Sequence, residues 1–248
     1  HLVRIVPRNG FVVMNGDDEN LRALGDIPWT QVVRVGTGAA CDVRLTDFSE
    51  SPAGTRFRLS WRGQPWAAVD WPSPGMFNAR NAAMAATAAG LAVNPADPTG
   101  LDLSALGRFR GVRRRQEELV RTDNLTVIED FGHHPTALAE TLRSFRDRFP
   151  GSILTAVFEP RSNTARTQTL QSGFMRALAL ADEVYIGAVS RAQQLGESER
   201  FDAAAVIEQL ETQGVEASTA ETNAELLKRL KAATLPAAGK SRVVIFFT

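Results

Sequence analysis

The sequence predicts an α/β protein whose second half is built around a parallel sheet. From residue 112 onward, short segments rich in Val, Ile and Leu alternate with amphipathic segments of helical period, the pattern of a sheet with crossover helices. Strands are expected at 125–129, 153–158, 183–187 and 242–247, and helices at 135–148, 164–181, 201–213 and 222–233. A length of 248 residues, 44% of them apolar and 23% charged, fits one large or two modest globular domains.

The first half is predicted to combine short strands with one alanine-rich helix. Strands are expected at 1–6, 11–14 and 31–35, a hairpin at 55–69, and helices at 17–24, 78–91 and 95–106. Alanine has the highest helix propensity and allows close packing, which favours the helix at 78–91. The basic, glycine-bounded segment 107–111 indicates a boundary between domains at 1–107 and 108–248.

Composition excludes several function classes. The 28 basic and 28 acidic residues cancel, so the chain has no bulk attraction to nucleic acid or to an anionic membrane. No apolar run approaches the roughly 20 residues that a membrane span needs. The single cysteine, Cys41, cannot form an internal disulfide, which favours a cytoplasmic protein. With one cysteine and three histidines, the sequence predicts no zinc site.

The residues that follow two predicted strands are the first candidates for a functional site. Residues 129–135 (EDFGHHP) follow one strand, and residues 159–164 (EPRSNT) follow the next one along the chain. Ligands of open parallel sheets bind beyond the carboxyl ends of the strands, so we expect both loops at that edge, after adjacent strands. Pro135 suits the first turn of a helix, whose unpaired N–H groups favour an anionic ligand.

Each of these candidates also has a purely structural interpretation. Asp130 could cap a turn, and the adjacent His133 and His134 could serve the helix that follows them. Arg161 could form a surface ion pair, and the basic run 113–115 could be solvated. The clustering of acids, histidines and an arginine at one sheet edge favours the functional interpretation.

Two asparagines at the start of the alanine-rich helix form a separate candidate. Asn78 and Asn81 are three residues apart and therefore share one helix face. Asparagine is a poor helix former, which makes the pair notable, although Asn78 could simply cap the helix.

Three segments occur in an order that resembles the Mur ligase family. They are 75–81 (GMFNARN), 114–117 (RRQE) and 129–136 (EDFGHHPT), and the opening segment 2–7 and the turn 15–18 (NGDD) fit as well. Mur ligases are ATP-dependent ligases of peptidoglycan synthesis, and the resemblance spans nearly the whole chain. It implies that 1–107 is the last part of a central ATP-binding domain. Residues 108–248 would form most of a C-terminal Rossmann-like domain, with helices on both faces of its sheet.

The resemblance implies four nucleotide-binding residues. Asn78 and Asn81 match paired asparagines that face the adenine end of ATP. Arg115 matches the second arginine of a pair that reaches the ATP, and Asp130 matches an acid that faces the ribose hydroxyls. One departure from the family pattern is Phe77, which stands where histidine often precedes the first asparagine.

The resemblance also implies a surface for the incoming substrate. The matching positions are His133, Arg161, Ser162, Asn163 and Thr164. The run 159–164 resembles that of family members that join UDP-N-acetylmuramate to the tripeptide L-alanyl-γ-D-glutamyl-meso-diaminopimelate in murein recycling. Members that add a single L-alanine have a different basic motif there. Glu129 stands where the family commonly has aspartate.

The implied reaction activates the carboxylate of UDP-N-acetylmuramate as an acyl phosphate, with ATP and Mg²⁺, before the tripeptide amine attacks. The sequence contains no G-x-x-x-x-G-K-[ST] phosphate loop, so that loop and the magnesium ligands are expected upstream of His1, in the N-terminal part of the same enzyme. The strand-like ends of the chain also suggest a piece of a longer protein. We assign it no catalytic or metal-binding residue and expect it not to ligate by itself.

Two alternatives remain open. The chain could come from a family member that adds a single L-alanine. It could also be a non-catalytic module that binds a nucleotide or a peptide.

Overall fold

The computed structural model describes residues 2–24, 27–51, 54–196, 198–234 and 240–248. The chain folds into two compact units, His1–Arg110 and Gly111–Thr248, each with a sheet of its own. Among the described residues, none of the helices combines the length and the hydropathy that a membrane-spanning segment requires.

The first unit contains a five-stranded mixed sheet. Its strands are β1 (Phe11–Asn15), β2 (Gln31–Gly36), β3 (Val43–Ser51), β4 (Gly54–Trp61) and β5 (Gln64–Trp71), in that spatial order. β1, β2 and β3 pair in parallel, whereas β3, β4 and β5 pair antiparallel. The helices are the short α1 (Glu19–Arg22) and the long α2 (Met76–Val93), and alanines of α2 join the core on the sheet. The predicted hairpin and alanine-rich helix are confirmed.

Two predictions for the first unit are wrong, and β3 is not among the strands predicted from the sequence. Leu2–Ile5 forms a 3₁₀ turn where the sequence predicts a strand. Residues 95–106 contain two 3₁₀ turns, Pro98–Gly100 and Ser104–Arg108, in place of one helix. Asp97 Oδ1 accepts a hydrogen bond from the backbone N–H of Thr99 at 2.9 Å. Such local side-chain bonds compete with the helical pattern.

The second unit is a six-stranded sheet with helices on both faces. Its strands are β6 (Glu117–Arg121), β7 (Leu125–Asp130), β8 (Ile153–Phe158), β9 (Glu183–Ile186), β10 (Glu216–Thr219) and β11 (Arg242–Phe247). Its helices are α3 (Pro135–Arg148), α4 (Gln171–Leu178), α5 (Ala203–Thr212) and α6 (Asn223–Thr234). The spatial order is β10-β9-β8-β11-β7-β6, parallel throughout except for β6, which runs antiparallel to β7.

Alternate residues of β11 enter two cores. Val243 and Ile245 lie in the large core with side chains of α3, α4 and α5. Val244 points to the opposite face and packs in a smaller core with Leu226 of α6. The α/β class and the Rossmann-like second unit predicted from the sequence are confirmed.

The position of β11 corrects one prediction about the candidate loops. β11 pairs with both β7 and β8 and therefore separates them. The loops after β7 and β8 thus do not follow adjacent strands, contrary to the expectation from the sequence. Chain order misleads here because the strand that fills the gap comes last in the described sequence.

The predicted helix 164–181 is also shorter than expected, and β10 is absent from the prediction. α4 begins only at Gln171. Before it, Thr167 forms an antiparallel bridge with Arg200, and the backbone N–H of Phe201 donates to the carbonyl of Arg166 at 2.8 Å. These backbone groups pair with a distant segment and cannot also join a helix.

Candidate functional site

The carboxyl ends of β7, β11 and β8 form one edge of the second unit. The strand register aligns Phe247 with both Asp130 and Phe158, so the three strands end side by side. We call residues 129–134, 159–164 and Thr248 the carboxyl edge. Its two loops are separated by two strand spacings, about 10 Å.

Of Arg114 and Arg115, which precede β6, the first is engaged in the fold and the second is exposed. Arg114 Nε donates to Glu129 Oε1 at 2.8 Å, and its Nη2 donates to Thr248 Oγ1 at 2.7 Å. Arg115 is exposed, with its guanidinium carbon 5.3 Å from the centre of the Phe131 ring. The geometry therefore leaves Arg115 accessible to an anionic ligand. The structural role of Arg114 is one that sequence reasoning missed.

Asp130 is buried and organises the backbone on both sides of β7. Its Oδ1 accepts from the N–H of Gly132 at 2.6 Å and its Oδ2 from the N–H of Gln116 at 3.0 Å. Burial raises the pKa of this carboxyl, although the two backbone hydrogen bonds and the charge of Arg115 act to lower it. These contacts match the structural interpretation of Asp130. Its contact with a ribose stays a prediction.

The two histidines have opposite hydrogen-bonding roles. His133 Nδ1 lies 2.9 Å from the carbonyl oxygen of Phe131, and because a carbonyl only accepts, Nδ1 carries the proton. In the neutral imidazole, Nε2 of this exposed side chain is therefore left as a hydrogen-bond acceptor. His134 Nδ1 accepts from the N–H of Thr136 at 3.3 Å and caps α3, with Pro135 in the first turn.

Arg161 lies exposed at the second loop of the carboxyl edge. Its Nε is 3.9 Å from Glu159 Oε1, and 57% of its side chain is exposed. An ion pair this long and this exposed holds the guanidinium weakly. Thr164, at the end of the same loop, is also exposed. Both side chains can reach a ligand without breaking strong contacts.

Ser162 and Asn163 are used within the loop itself. Ser162 Oγ accepts from the N–H of Ala165 at 3.0 Å, and Asn163 Oδ1 accepts from Arg166 Nη2 at 3.0 Å. Arg166 is 8% exposed and also donates to Gln194 Oε1 at 3.2 Å. Sequence reasoning missed Arg166, because its second partner is 28 positions away along the chain.

At the start of α2, the two asparagines lie inside the helix. Gly75 is the N-cap, three residues before Asn78, so the interpretation of Asn78 as a cap is wrong. Asn78 Nδ2 donates to the carbonyl of Pro74 at 2.6 Å, and Asn81 is exposed.

Gly75 adopts a φ of 94°, and a Cβ there would lie 2.5 Å from the ring of Phe77. Phe77 therefore packs against a turn that only glycine allows.

A cleft of about 190 Å³ opens beside the carboxyl edge, between β8, β11 and α6. Its apolar walls include Leu226, Leu227, Leu230 and Phe246, and its polar lining residues are Glu159, Asn223 and Thr248. An apolar cleft with a few polar groups suits a small ligand or part of one. In the part of the chain that the structure describes, no three His, Cys, Asp or Glu side chains are placed to hold a metal ion.

Two family models match the chain, one in each unit. Residues 1–89 match the Mur ligase middle domain. Residues 114–247 match the Mur ligase, glutamate ligase domain. The second match alone covers more than half of the sequence.

Curated relatives with two different names are equally identical to this chain. A UDP-N-acetylmuramate–L-alanine ligase of Salinispora arenicola is 35% identical over 186 residues, which cover 74% of this chain and 36% of the relative. A UDP-N-acetylmuramate–L-alanyl-gamma-D-glutamyl-meso-2,6-diaminoheptandioate ligase of Escherichia coli is 35% identical over 193 residues, which cover 75% of this chain and 40% of the relative. The matched part of this chain thus corresponds to well under half of each relative.

Solved structures share the fold of the chain. A murein peptide ligase of Psychrobacter arcticus aligns with 100% of this chain and 50% of its own, with a TM-score of 0.66 and 24% identity. A UDP-N-acetylmuramate–alanine ligase of Thermotoga maritima aligns with 96% of this chain and 47% of its own, with a TM-score of 0.67 and 23% identity.

Proposed function

The chain belongs to the Mur ligase family, and from this premise we propose that the full-length protein is an ATP-dependent ligase that joins UDP-N-acetylmuramate to L-alanyl-γ-D-glutamyl-meso-diaminopimelate. The observation that carries the proposal is the run 159–164 (EPRSNT) at the carboxyl edge. Its exposed Arg161 suits a peptide that carries several carboxylates. A cytoplasmic role in murein recycling is part of the same proposal.

ATP supplies the phosphoryl group that activates the carboxylate of UDP-N-acetylmuramate as an acyl phosphate. Asn78 and Asn81 serve the adenine edge, since an amide both donates and accepts hydrogen bonds. Arg115 offers its exposed guanidinium to the phosphates. Each carboxylate oxygen of Asp130 accepts one backbone hydrogen bond and can accept a second one from a ribose hydroxyl. Magnesium would bind with the phosphates, and the described residues form no ligand set for it.

The carboxyl edge serves the second substrate. Arg161 and Thr164 receive carboxylates of the tripeptide, while Ser162 and Asn163 shape the loop that presents them. The tripeptide amine attacks the acyl carbon, a C–N bond forms, and phosphate leaves. The amine loses a proton in this step, and the exposed His133 serves as a hydrogen-bonding group for the peptide.

A second candidate function is the ligation of L-alanine to UDP-N-acetylmuramate. The relative that bears this name is as similar to the chain as the tripeptide ligase, at 35% identity. The two functions share ATP and the first substrate and differ only in the amine.

Steady-state kinetics with each of the two amines in turn test the proposal. The full-length protein is incubated with ATP, Mg²⁺ and UDP-N-acetylmuramate, with the tripeptide or L-alanine varied, and ADP and the amide product are both quantified. We expect kcat/KM for the tripeptide to exceed that for L-alanine by about 100-fold or more, because the Arg161 contacts are lost with the smaller amine. The reverse preference would establish the L-alanine ligase. ADP binding without product from either amine would support a non-catalytic module.

A further inference from the structure

Asp17, just after β1, accepts an unusually dense set of hydrogen bonds. Its carboxylate accepts from the N–H of Thr37 at 3.0 Å and from the N–H of Gly38 at 3.2 Å. Arg80 Nε, in the second turn of α2, donates to Oδ2 at 3.2 Å across 63 residues of sequence. Gly36 leaves room for this group, because a Cβ there would lie 2.5 Å from Asp17 Oδ1. The carboxylate therefore joins the ends of β1 and β2 to α2.

The Asp17–Arg80 ion pair is largely withdrawn from solvent. The side chains are 20% and 17% exposed, whereas those of the Arg56–Asp70 pair are 72% and 73% exposed. Burial acts to raise the pKa of Asp17, but hydrogen bonds from two backbone amides and the charge of Arg80 bring that pKa below its usual value. The carboxylate is therefore charged at neutral pH and keeps its partner.

The part of α2 nearest the two asparagines packs mainly through methyl groups. Its first buried residues are Ala79, Ala82, Ala83 and Ala86, and the larger buried Leu91 comes only near the end of the helix. Methyl groups make shallow ridges, which allow close approach but interlock weakly with a sheet. A largely buried charged pair adds a directional constraint at this end of the helix, because separating the partners would leave two charges uncompensated.

We propose that Asp17 and Arg80 are positioning residues that fix the rotation of α2 and so aim Asn78 and Asn81 at the nucleotide. The inference rests on the proposed function, which supplies the adenine contacts of the two asparagines. Arg80 lies between them in the sequence. At about 100° per residue, the three side chains leave the helix within one half of its circumference. A rotation that parted Arg80 from Asp17 would turn both amides by the same angle.

The test is ADP binding by the full-length protein with each charge removed. Asp17→Asn keeps an oxygen acceptor, and Arg80→Met keeps most of the side-chain length. Each variant is expected to raise the Kd of ADP about 5- to 20-fold and leave the KM of UDP-N-acetylmuramate unchanged. The double variant should match either single one, because both changes remove the same constraint. Arg80→Lys keeps the charge and should recover most of the affinity.

Arg56→Met and Asp70→Asn are the matched controls, since they remove the same charges from an exposed pair and should change nothing. Asn81→Ala tests the proposed function independently. If Asn81→Ala weakens ADP binding while Asp17→Asn and Arg80→Met do not, the positioning role is overturned and the proposed function stands.

If Asn81→Ala has no effect on ADP binding, the adenine role of the asparagines and the positioning role both fall, while the ligase itself is still decided by the kinetics with the two amines. Additive effects of Asp17→Asn and Arg80→Met, or a parallel rise in the KM of UDP-N-acetylmuramate, would also overturn the positioning role. If Asp17→Asn does not fold, the two Arg80 variants decide, because they leave the backbone contacts of Asp17 in place.

Discussion

Asp17 in the first unit and Asp130 in the second follow the same structural plan with opposite electrostatic results. Each lies at or just after the end of a parallel strand and accepts two backbone N–H groups. Asp17 also has the Arg80 guanidinium at 3.2 Å, and its pKa is lowered. Asp130 has no such partner in direct contact among the described ion pairs, and burial raises its pKa. At Asp17 the backbone hydrogen bonds and then the Arg80 charge together outweigh the effect of burial, whereas at the more deeply buried Asp130 two backbone hydrogen bonds do not.

A second contrast separates residues that are engaged in the fold from residues that are exposed. At the carboxyl edge, Asp130 is engaged in backbone hydrogen bonds, whereas Arg115, His133 and Arg161 are exposed. The segments that resemble the family therefore contain both engaged and exposed residues. Substitutions of each kind test this difference, and the largest expected effect comes first.

Asp130→Ala should lower the free energy of unfolding most. It leaves the N–H groups of Gly132 and Gln116 buried without acceptors, a loss of about 2–5 kcal/mol. Urea unfolding of the full-length protein measures it. Asp102→Ala is the control, because that exposed carboxylate accepts the N–H of Ser104 at 2.9 Å in a solvated turn. Equal small effects of both variants would mean that the Asp130 contacts do not hold the loops.

Arg115→Ala should affect ATP use and leave stability nearly unchanged. A charge-assisted hydrogen bond is worth about 1.5–3 kcal/mol, which corresponds to about a 10- to 150-fold rise in the KM for ATP. Arg114→Ala should instead lower the thermal midpoint, since it removes the ion pair with Glu129. Steady-state kinetics and thermal unfolding of both variants decide the matter. The opposite pattern would exchange the roles of the two arginines.

Arg161→Ala should lower kcat/KM for the tripeptide about 10- to 100-fold, because one charge-assisted contact with a carboxylate is lost. The KM for ATP should stay near its wild-type value. Arg176→Ala, which removes an exposed arginine of α4, is the control. A defect confined to ATP would assign Arg161 to the nucleotide. A variant without any defect would leave only the weak ion pair with Glu159.

The pH dependence of stability should differ in sign between the two carboxylates, and this is the smallest expected effect. Asp17 has a lowered pKa, so its contribution is present above the unfolded value of 3.8 and is lost as pH falls through the folded pKa. Asp130 has a raised pKa, so its contribution is present below the unfolded value and is lost as pH rises through the folded pKa.

Urea midpoints measured from about pH 7 down to about pH 3 test both signs. The gap between wild type and Asp17→Asn should shrink on acidification, and the gap for Asp130→Asn should grow. Gaps that change in the same direction for both variants would contradict the comparison.

Local signals in the sequence predicted the elements that depend on local contacts. The helix expected at 135–148 is α3, Pro135–Arg148, because an N-terminal proline and an amphipathic pattern act within a few residues. The start of α4 was not predictable in this way, since the segment before it pairs with residues 199–201. The neighbours of β11 were equally hidden, because its apolar residues fit any gap in a parallel sheet.

The site was predictable as a set of residues but not as a division of roles. Arg114 and Arg115 are adjacent and chemically identical in the sequence. They differ because Arg114 has a φ of 59°, and its side chain contacts Glu129 and Thr248. Thr248 lies at the other end of the unit along the chain, and no local pattern links it to Arg114. Long-range contacts therefore decide which arginine is exposed.

The central place of β11 has a consequence for biosynthesis. A ribosome makes β7 and β8 well before β11, yet Arg242 pairs with both Leu125 and Ile153. Until β11 emerges, the facing edges of β7 and β8 have no strand between them, and their unpaired backbone groups can template contacts with other chains. Such long-range pairing is also slow. The nascent chain is therefore most exposed to aggregation just before its most protected strand is made.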